Sequence, residues 1–194
     1  MATVRNMTEP RTEIERILAG DKGAFEEFVR RYQRLVSHIV FRMIPRQADH
    51  EDICQDVFLR IYQNLAGFRG DSKTSTWVGR VTHNYCLNWR EKKRELLFDD
   101  IDQDGPVADP ADCDRQTPLE AAERSDLSLR LRKEIGRLAA PYRTVLALYH
   151  LDEMSYAEIG QIMNMPDGTV KSYLFRARGM LRERLTARYK REDL

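Results

Sequence analysis

Apolar residues recur at three- and four-residue steps through the first half of the chain, a period that admits helices and little else. Ala24, Phe25, Phe28, Tyr32, Leu35, Val36, Ile39 and Val40 share one face of a helix. Pro45 closes that helix, since a proline lacks the amide proton and clashes with the preceding turn. Ile53, Val57, Ile61 and Leu65 form a second pattern that stops at Gly67, and Trp77, Val81, Tyr85 and Trp89 lie in a third. The spacing predicts a bundle of three or four helices from about Glu13 to Arg94. With 10 Gly and 7 Pro in 194 residues, the chain is too poor in turn formers for an all-β fold. No strand-like alternation and no internal repeat stand out.

The period lapses in LLFDDIDQDGPVADPADCDRQTPLEAAERS, which is rich in Asp, Pro and Gly and reads as a flexible linker. It resumes near Asp126 with Leu127, Leu131, Ile135 and Leu138. Pro141 then starts another helix with Val145, Leu146, Leu148 and Tyr149 as its apolar face. The expected fold is all-α: two small helical domains, residues 1–94 and 126–194, joined by an acidic linker over 95–125.

The net charge of +1 conceals a division that follows this partition. Residues 1–94 carry 17 basic and 12 acidic side chains, 95–125 carry 2 and 10, and 126–194 carry 13 and 9. Two basic blocks flanking an acidic one suggest that both ends meet nucleic acid. No apolar run reaches transmembrane length, and the N-terminus MATVRNMTEPRTEIER is polar, so a cytoplasmic location is expected, without membrane insertion. Cys54, Cys86 and Cys113 are too few and too scattered for a disulfide framework. His83 and Cys86 have the spacing of a metal-binding pair, but a second pair is missing, so neither metal nor cofactor is expected. No nucleophile–base pair and no Gly-rich phosphate loop marks an enzyme.

The stretch SYAEIGQIMNMPDGTVKSYLFRARGMLRERL meets the physical requirements of a helix-turn-helix. Ser155 and Glu158 have the spacing of a capping box at the first helix. Gly160 is small where two helices would cross, Asn-Met-Pro-Asp-Gly supplies the turn, and Pro166 suits the first turn of the next helix. Ile159, Met163, Met165, Val170 and Tyr173 fall where the helices face each other. In the second helix Val170, Leu174, Ala177 and Leu181 share an inner face, which turns Thr169, Lys171, Ser172, Phe175 and Arg176 outward. That set suits a major groove: Arg and Lys donate to guanine edges, Ser and Thr serve either base, and Phe meets a thymine methyl. Residues 168–191 hold 8 basic side chains and one acid, so phosphate neutralisation should make binding salt-dependent.

Two more segments carry chemistry. In HEDICQDVFLRIY, a helix that buries Ile53, Val57 and Ile61 shows Glu51, Asp52, Gln55, Asp56 and Leu59 on its other side. An acidic face with apolar groups suits a basic protein partner, or is simply a solvated face. KTSTWVGRVTHNYCLNWREKKR mixes Trp77, Tyr85 and Trp89 with Lys73, Arg80, Arg90, Lys92, Lys93 and Arg94. Aromatics can stack on unpaired bases while cations follow the backbone, although large aromatics supply core area just as often. Asn84 could bond a base edge.

The order of these motifs resembles the extracytoplasmic-function (ECF) group of bacterial sigma factors. The carrying segments are GDKGAFEEFVRRY, HEDICQDVFLRIY, FRGDSKTSTWVGRVTHNYCLNWREKKR and MSYAEIGQIMNMPDGTVKSYLFRAR. The resemblance implies a factor that binds core RNA polymerase and directs promoter-specific initiation. It implies docking on the clamp helices of the largest subunit through Asp52, Gln55, Asp56 and Phe58, with Leu59 and Tyr62 beside them. It implies recognition and melting of the −10 element by Lys73, Trp77, Arg80, Asn84, Arg90, Lys93 and Arg94. The −35 element would be read by Thr169, Lys171, Ser172, Phe175 and Arg176. An anti-sigma factor is the further partner that the family implies. A stand-alone helix-turn-helix regulator would explain the C-terminal block equally well, but gives no reason for the acidic helix or the second basic, aromatic segment.

Overall fold

The structure, a computed structural model, describes residues 5–96 and 126–188, with side chains placed over 12–93 and 130–188. Among the described residues there are eight α-helices and no strand. The N-terminal block holds α1 (Arg5–Leu18), α2 (Lys22–Met43), α3 (His50–Asn64) and α4 (Thr74–Leu96). The C-terminal block holds α5 (Asp126–Gly136), α6 (Ala140–His150), α7 (Tyr156–Met163) and α8 (Asp167–Arg188). Nearly all of the expected acidic linker, together with Cys113, lies outside the described residues, as does the side chain of Arg94. No helix among the described residues is long and apolar enough to cross a membrane.

Local chemistry sets the helix ends. The pattern suggested a start near Glu13, and α1 begins earlier, at Arg5. Gly20 at φ +90° turns the chain after α1, a conformation that side chains with a Cβ rarely adopt. Asp21 caps α2 by accepting from the Ala24 amide at 3.0 Å, and Arg16 holds the same carboxylate at 2.7 Å. Pro45 follows the C-cap Ile44, as expected. At the next junction His50 Nε2 donates to the Ile44 carbonyl at 2.8 Å, and burial lowers the affinity of its ring for a proton.

α2 is the axle of the N-terminal block. Its buried Phe28, Leu35, Val36, Ile39, Val40 and Met43 meet α1, α3 and α4. Burial of each such side chain stabilises the fold by about 1.5–3 kcal/mol. In the C-terminal block Leu138, Val145, Leu148, Ile159, Met163, Val170, Leu174 and Ala177 close a core among four shorter helices. Glu134 of α5 is buried there and bound by Arg137 at 2.7 Å and by Arg188, from the last turn of α8, at 3.1 Å.

The two blocks touch. Their apolar residues belong to one continuous cluster, with α2 against α6 and α4 against α7. Arg143 of α6, which is 0% exposed, donates through Nε to the Arg42 carbonyl of α2 at 3.0 Å. Its Nη1 donates to the carbonyls of Gly136 and Leu138 at 3.0 and 2.8 Å. Carbonyls in a last helical turn lack partners within the helix, so the one guanidinium serves the ends of both α2 and α5.

Candidate polymerase- and nucleic-acid-binding surfaces

The first surface is the outer side of α3. With Ile53, Val57 and Ile61 inside, the helical period places Glu51, Asp52, Gln55, Asp56, Leu59 and Tyr62 outside, and all are exposed. Leu59 at 56% and Tyr62 at 47% are unusually open for residues of their size. Tyr62 is steadied edge-on by Phe25 of α2, ring centroids 5.0 Å apart. Phe58 is half-buried against the core, so only part of its ring could meet a partner. Asp56 already accepts a hydrogen bond from the Tyr85 hydroxyl of α4 at 2.7 Å.

The second surface is α4. Arg80, Asn84 and Leu87 form an exposed stripe along it, and Arg90 is half-buried. The aromatics expected to stack on bases are otherwise engaged. Trp77 is 8% exposed and packs on Phe68 at 5.3 Å between ring centroids, so in this arrangement it supplies core area. The Tyr85 phenol is pushed up to about 12 by burial and by its bond to Asp56. Lys93 lies 4.3 Å over the Trp89 ring and pairs with Asp49 at 2.8 Å. Lys73 pairs at 2.8 Å with Glu158, from the other block. Burial pushes the Glu158 carboxyl upward, but bonds from Lys73 and Ser155 outweigh it and hold the group down at about 2.

His83 and Cys86 share this helix, but both are buried. Desolvation brings His83 down to about 4 and drives the Cys86 thiol up to about 12, so both are neutral near pH 7. Among the described residues no group of three His, Cys, Asp or Glu could hold a metal ion.

The third surface is the helix-turn-helix of α7 and α8. The capping box forms: the Glu158 amide donates to Ser155 Oγ at 3.3 Å, and the Ser155 amide donates to the Glu158 carboxylate at 2.8 Å. Gly160 is required by the turn itself. A Cβ there would lie 2.6 Å from the Met165 carbonyl oxygen, a backbone atom that cannot swing aside. The turn is shorter than the sequence suggested. Asn164 takes a left-handed conformation at φ 52°, and the Thr169 and Val170 amides donate to the Pro166 carbonyl. Asp167 and Gly168 therefore belong to the first turn of α8, and Pro166 precedes it.

On α8, Val170, Leu174, Ala177 and Leu181 are buried. Lys171, Ser172, Phe175 and Arg176 are exposed, and Thr169 is half-buried. Phe175 is 78% exposed, a large apolar ring held in water. Ser172 Oγ donates to the Gly168 carbonyl at 2.9 Å, which leaves its lone pairs facing outward. Behind the helix Tyr173 stacks on Tyr142, ring centroids 5.0 Å apart, and fixes its roll.

Sequence reasoning missed the partners that meet across the blocks, Glu158 with Lys73, Asp152 with His38 and Arg143 with the Arg42 carbonyl, and it missed Asp49 as the partner of Lys93 within the N-terminal block. The one available signal was a buried-type position filled by an arginine, at 143 in an otherwise apolar helix.

Comparison with known proteins follows the same partition. The family model for Sigma-70 region 2 matches residues 28–95, and that for Sigma-70, region 4, matches residues 128–181. The chain is 33% identical over 176 residues to the ECF RNA polymerase sigma factor SigW of Bacillus subtilis, covering 89% of this chain and 94% of that one. It is 33% identical over 169 residues to the ECF RNA polymerase sigma-E factor of Escherichia coli K12, covering 85% and 88%. Two solved structures share the fold. CnrH in complex with the cytosolic domain of CnrY has a TM-score of 0.63 at 21% identity, covering 92% and 98%. RpoE of Bartonella quintana, in complex with the anti-sigma factor NepR, has a TM-score of 0.65 at 20% identity, covering 84% and 99%.

Proposed function

The chain belongs to the ECF group of RNA polymerase sigma factors, and we propose that its three exposed surfaces divide the work of that family between them. It is a non-enzymatic initiation factor that joins core RNA polymerase and directs it to promoters. The α3 face docks on the polymerase through Asp52, Gln55, Asp56, Leu59 and Tyr62, with the exposed part of Phe58. The α4 stripe of Arg80 and Asn84, with Lys73 and Arg90, holds the opened −10 strand. Lys93 follows the backbone once Asp49 releases it. The α8 face reads the −35 element through Lys171, Ser172, Phe175 and Arg176, with Thr169 at its edge. Capture of unpaired bases offsets an unstacking cost of a few kcal/mol per base.

One observation supports this reading above the rest: a phenylalanine and an arginine stand side by side in solvent on a helix whose opposite side is fully packed. Such an arrangement has no folding advantage and fits a thymine methyl beside a guanine edge. Linking two weak DNA-binding blocks through one polymerase raises their effective concentration, so neither needs a large interface. We also propose an anti-sigma factor as regulatory partner, since the structural neighbour RpoE of Bartonella quintana was solved with one.

Run-off transcription with core polymerase and a promoter library tests the assignment. Promoter-specific transcripts that depend on the added chain are expected. Binding to its own duplex site without polymerase, with no such transcripts, would make the chain a stand-alone regulator.

A further inference from the structure

Tyr62 stands in the last turn of α3, which ends at Asn64. A half-exposed ring at such a place changes rotamer readily unless something holds it. Phe25, from the first turn of α2, meets it edge-on, with ring centroids 5.0 Å apart and planes at 66°. Phe25 is itself backed. The buried Phe28 lies 6.3 Å behind it with the ring planes at 13°, and Tyr32 packs on Phe28 at 4.7 Å. The Tyr32 hydroxyl shares a hydrogen bond with Thr74, the first residue of α4. One row of four rings thus runs from the start of α4 to the outer side of α3, and Tyr62 is its exposed end. The row has little room to give way, because Asp21 caps α2 just before Phe25 and is held in turn by Arg16.

As a core residue Phe25 is incomplete. It is half-buried, whereas Phe28 on the same helix is 0% exposed. The edge that the core leaves uncovered is the one that Tyr62 meets. Leu59 and Tyr62 are neighbours on one helix face, and they are the large apolar groups exposed on α3. Glu51, Asp52 and Asp56 are exposed on the same helix, nearer its start. The partner surface that fits is an apolar patch bordered by basic groups. Tyrosine makes a strong anchor for such a patch, since it offers a large contact area with few torsions to fix.

Resting on the sigma-factor reading, we propose that Phe25 is a positioning residue for polymerase docking, which presets the Tyr62 ring as a rigid anchor for an apolar patch on core polymerase. Phe25 acts through Tyr62 and leaves the contact itself to it. The ring is ordered when the chain folds, so association no longer bears the cost of ordering it. For one side chain that is worth roughly two- to ten-fold in affinity.

Titration of the full chain with core polymerase tests this as a double-mutant cycle. Tyr62→Ala should weaken core binding. Phe25→Leu, which keeps apolar bulk but loses the ring, should weaken it roughly two- to ten-fold, and Phe25→Tyr, which keeps the ring, should restore it. Added to Tyr62→Ala, Phe25→Leu should have no further effect. With the Phe25→Leu chain at saturation, promoter-specific run-off should equal that of the unsubstituted chain, because only affinity has changed. A packing role alone would give Phe25→Leu the same loss with or without the Tyr62 ring. That result, or unchanged affinity of Phe25→Leu, overturns the proposal, and so does a Tyr62→Ala chain that binds core normally. Failure of the unsubstituted chain to bind core overturns the sigma-factor reading instead. Urea midpoints establish that the variants are folded, and Phe25→Met takes the place of Phe25→Leu in the same cycle should the leucine variant unfold.

Discussion

The Tyr85 hydroxyl of α4 donates to the Asp56 carboxylate of α3 at 2.7 Å, which ties the surface assigned to polymerase to the helix assigned to promoter melting. The bond spans two surfaces with different partners, so its two ends should behave differently when changed. Asp56→Arg is expected to abolish core binding while the fold survives, because Asp56 is exposed. Tyr85→Phe should cost about 1 kcal/mol of stability and leave core affinity intact, as for one hydrogen bond at a partly wet site. Pull-down with core and urea unfolding separate the two. Equal loss of core binding in both variants would assign the docking role to the pair.

His83 should make the N-terminal block sensitive to mild acid. Its ring is buried and titrates near 4, against about 6.5 in the unfolded chain. The unfolded state therefore takes up a proton first, and the native state holds none until lower pH. Stability from this site is complete above about pH 6.5 and falls as pH drops toward 4, by up to about 3 kcal/mol. His83→Gln should flatten that fall, read as urea midpoints at near-neutral and mildly acidic pH. Parallel pH profiles for the two proteins would remove His83 as the cause.

Gly160 and Ser155 support the same motif by different means. Gly160→Ala forces a methyl onto the Met165 carbonyl and should cost about 1–3 kcal/mol or more. Ser155→Ala removes one arm of the capping box and should cost about 1 kcal/mol. Chemical denaturation gives both values, and the glycine variant should be the less stable.

On α8, Phe175→Ala should leave stability unchanged, since the ring is in solvent. It should lower selectivity at a thymine of the −35 element. Arg176→Ala should weaken use of the preferred −35 sequence by about 1–3 kcal/mol. Transcription from single-base promoter variants distinguishes a base contact from a phosphate contact: an equal loss on every upstream sequence would mark Arg176 as phosphate-binding.

The helices were legible because their causes are local. A 3.6-residue period, Pro45, Gly67 and the Ser155–Glu158 pair each act within a turn or two, and the structure places helix ends close to them. Trp77 shows what composition leaves open: the same ring can serve a core or a base stack, and its packing on Phe68 is a contact that no sequence window displays. The turn of the helix-turn-helix was read two residues too long. Asp-Gly looks like turn chemistry, yet the Pro166 carbonyl draws the following amides into a helix. Apart from Arg143 in the apolar run of α6, the contact between blocks left no trace in any window. Its pairs, Gly79 with Ile162, Lys73 with Glu158 and His38 with Asp152, are each more than 80 residues apart.

The Glu134 clamp separates two tasks along a single helix. Arg188 anchors the far end of α8 to the buried Glu134 carboxyl group, while the side chains proposed to face the groove all stand within its first ten residues. On the proposed reading, promoter preference should be open to change at Lys171, Ser172, Phe175 and Arg176 without disturbing the anchor. Repeated duplication and divergence could retarget such a chain to a new set of genes by changing a handful of surface letters, with its scaffold inherited intact.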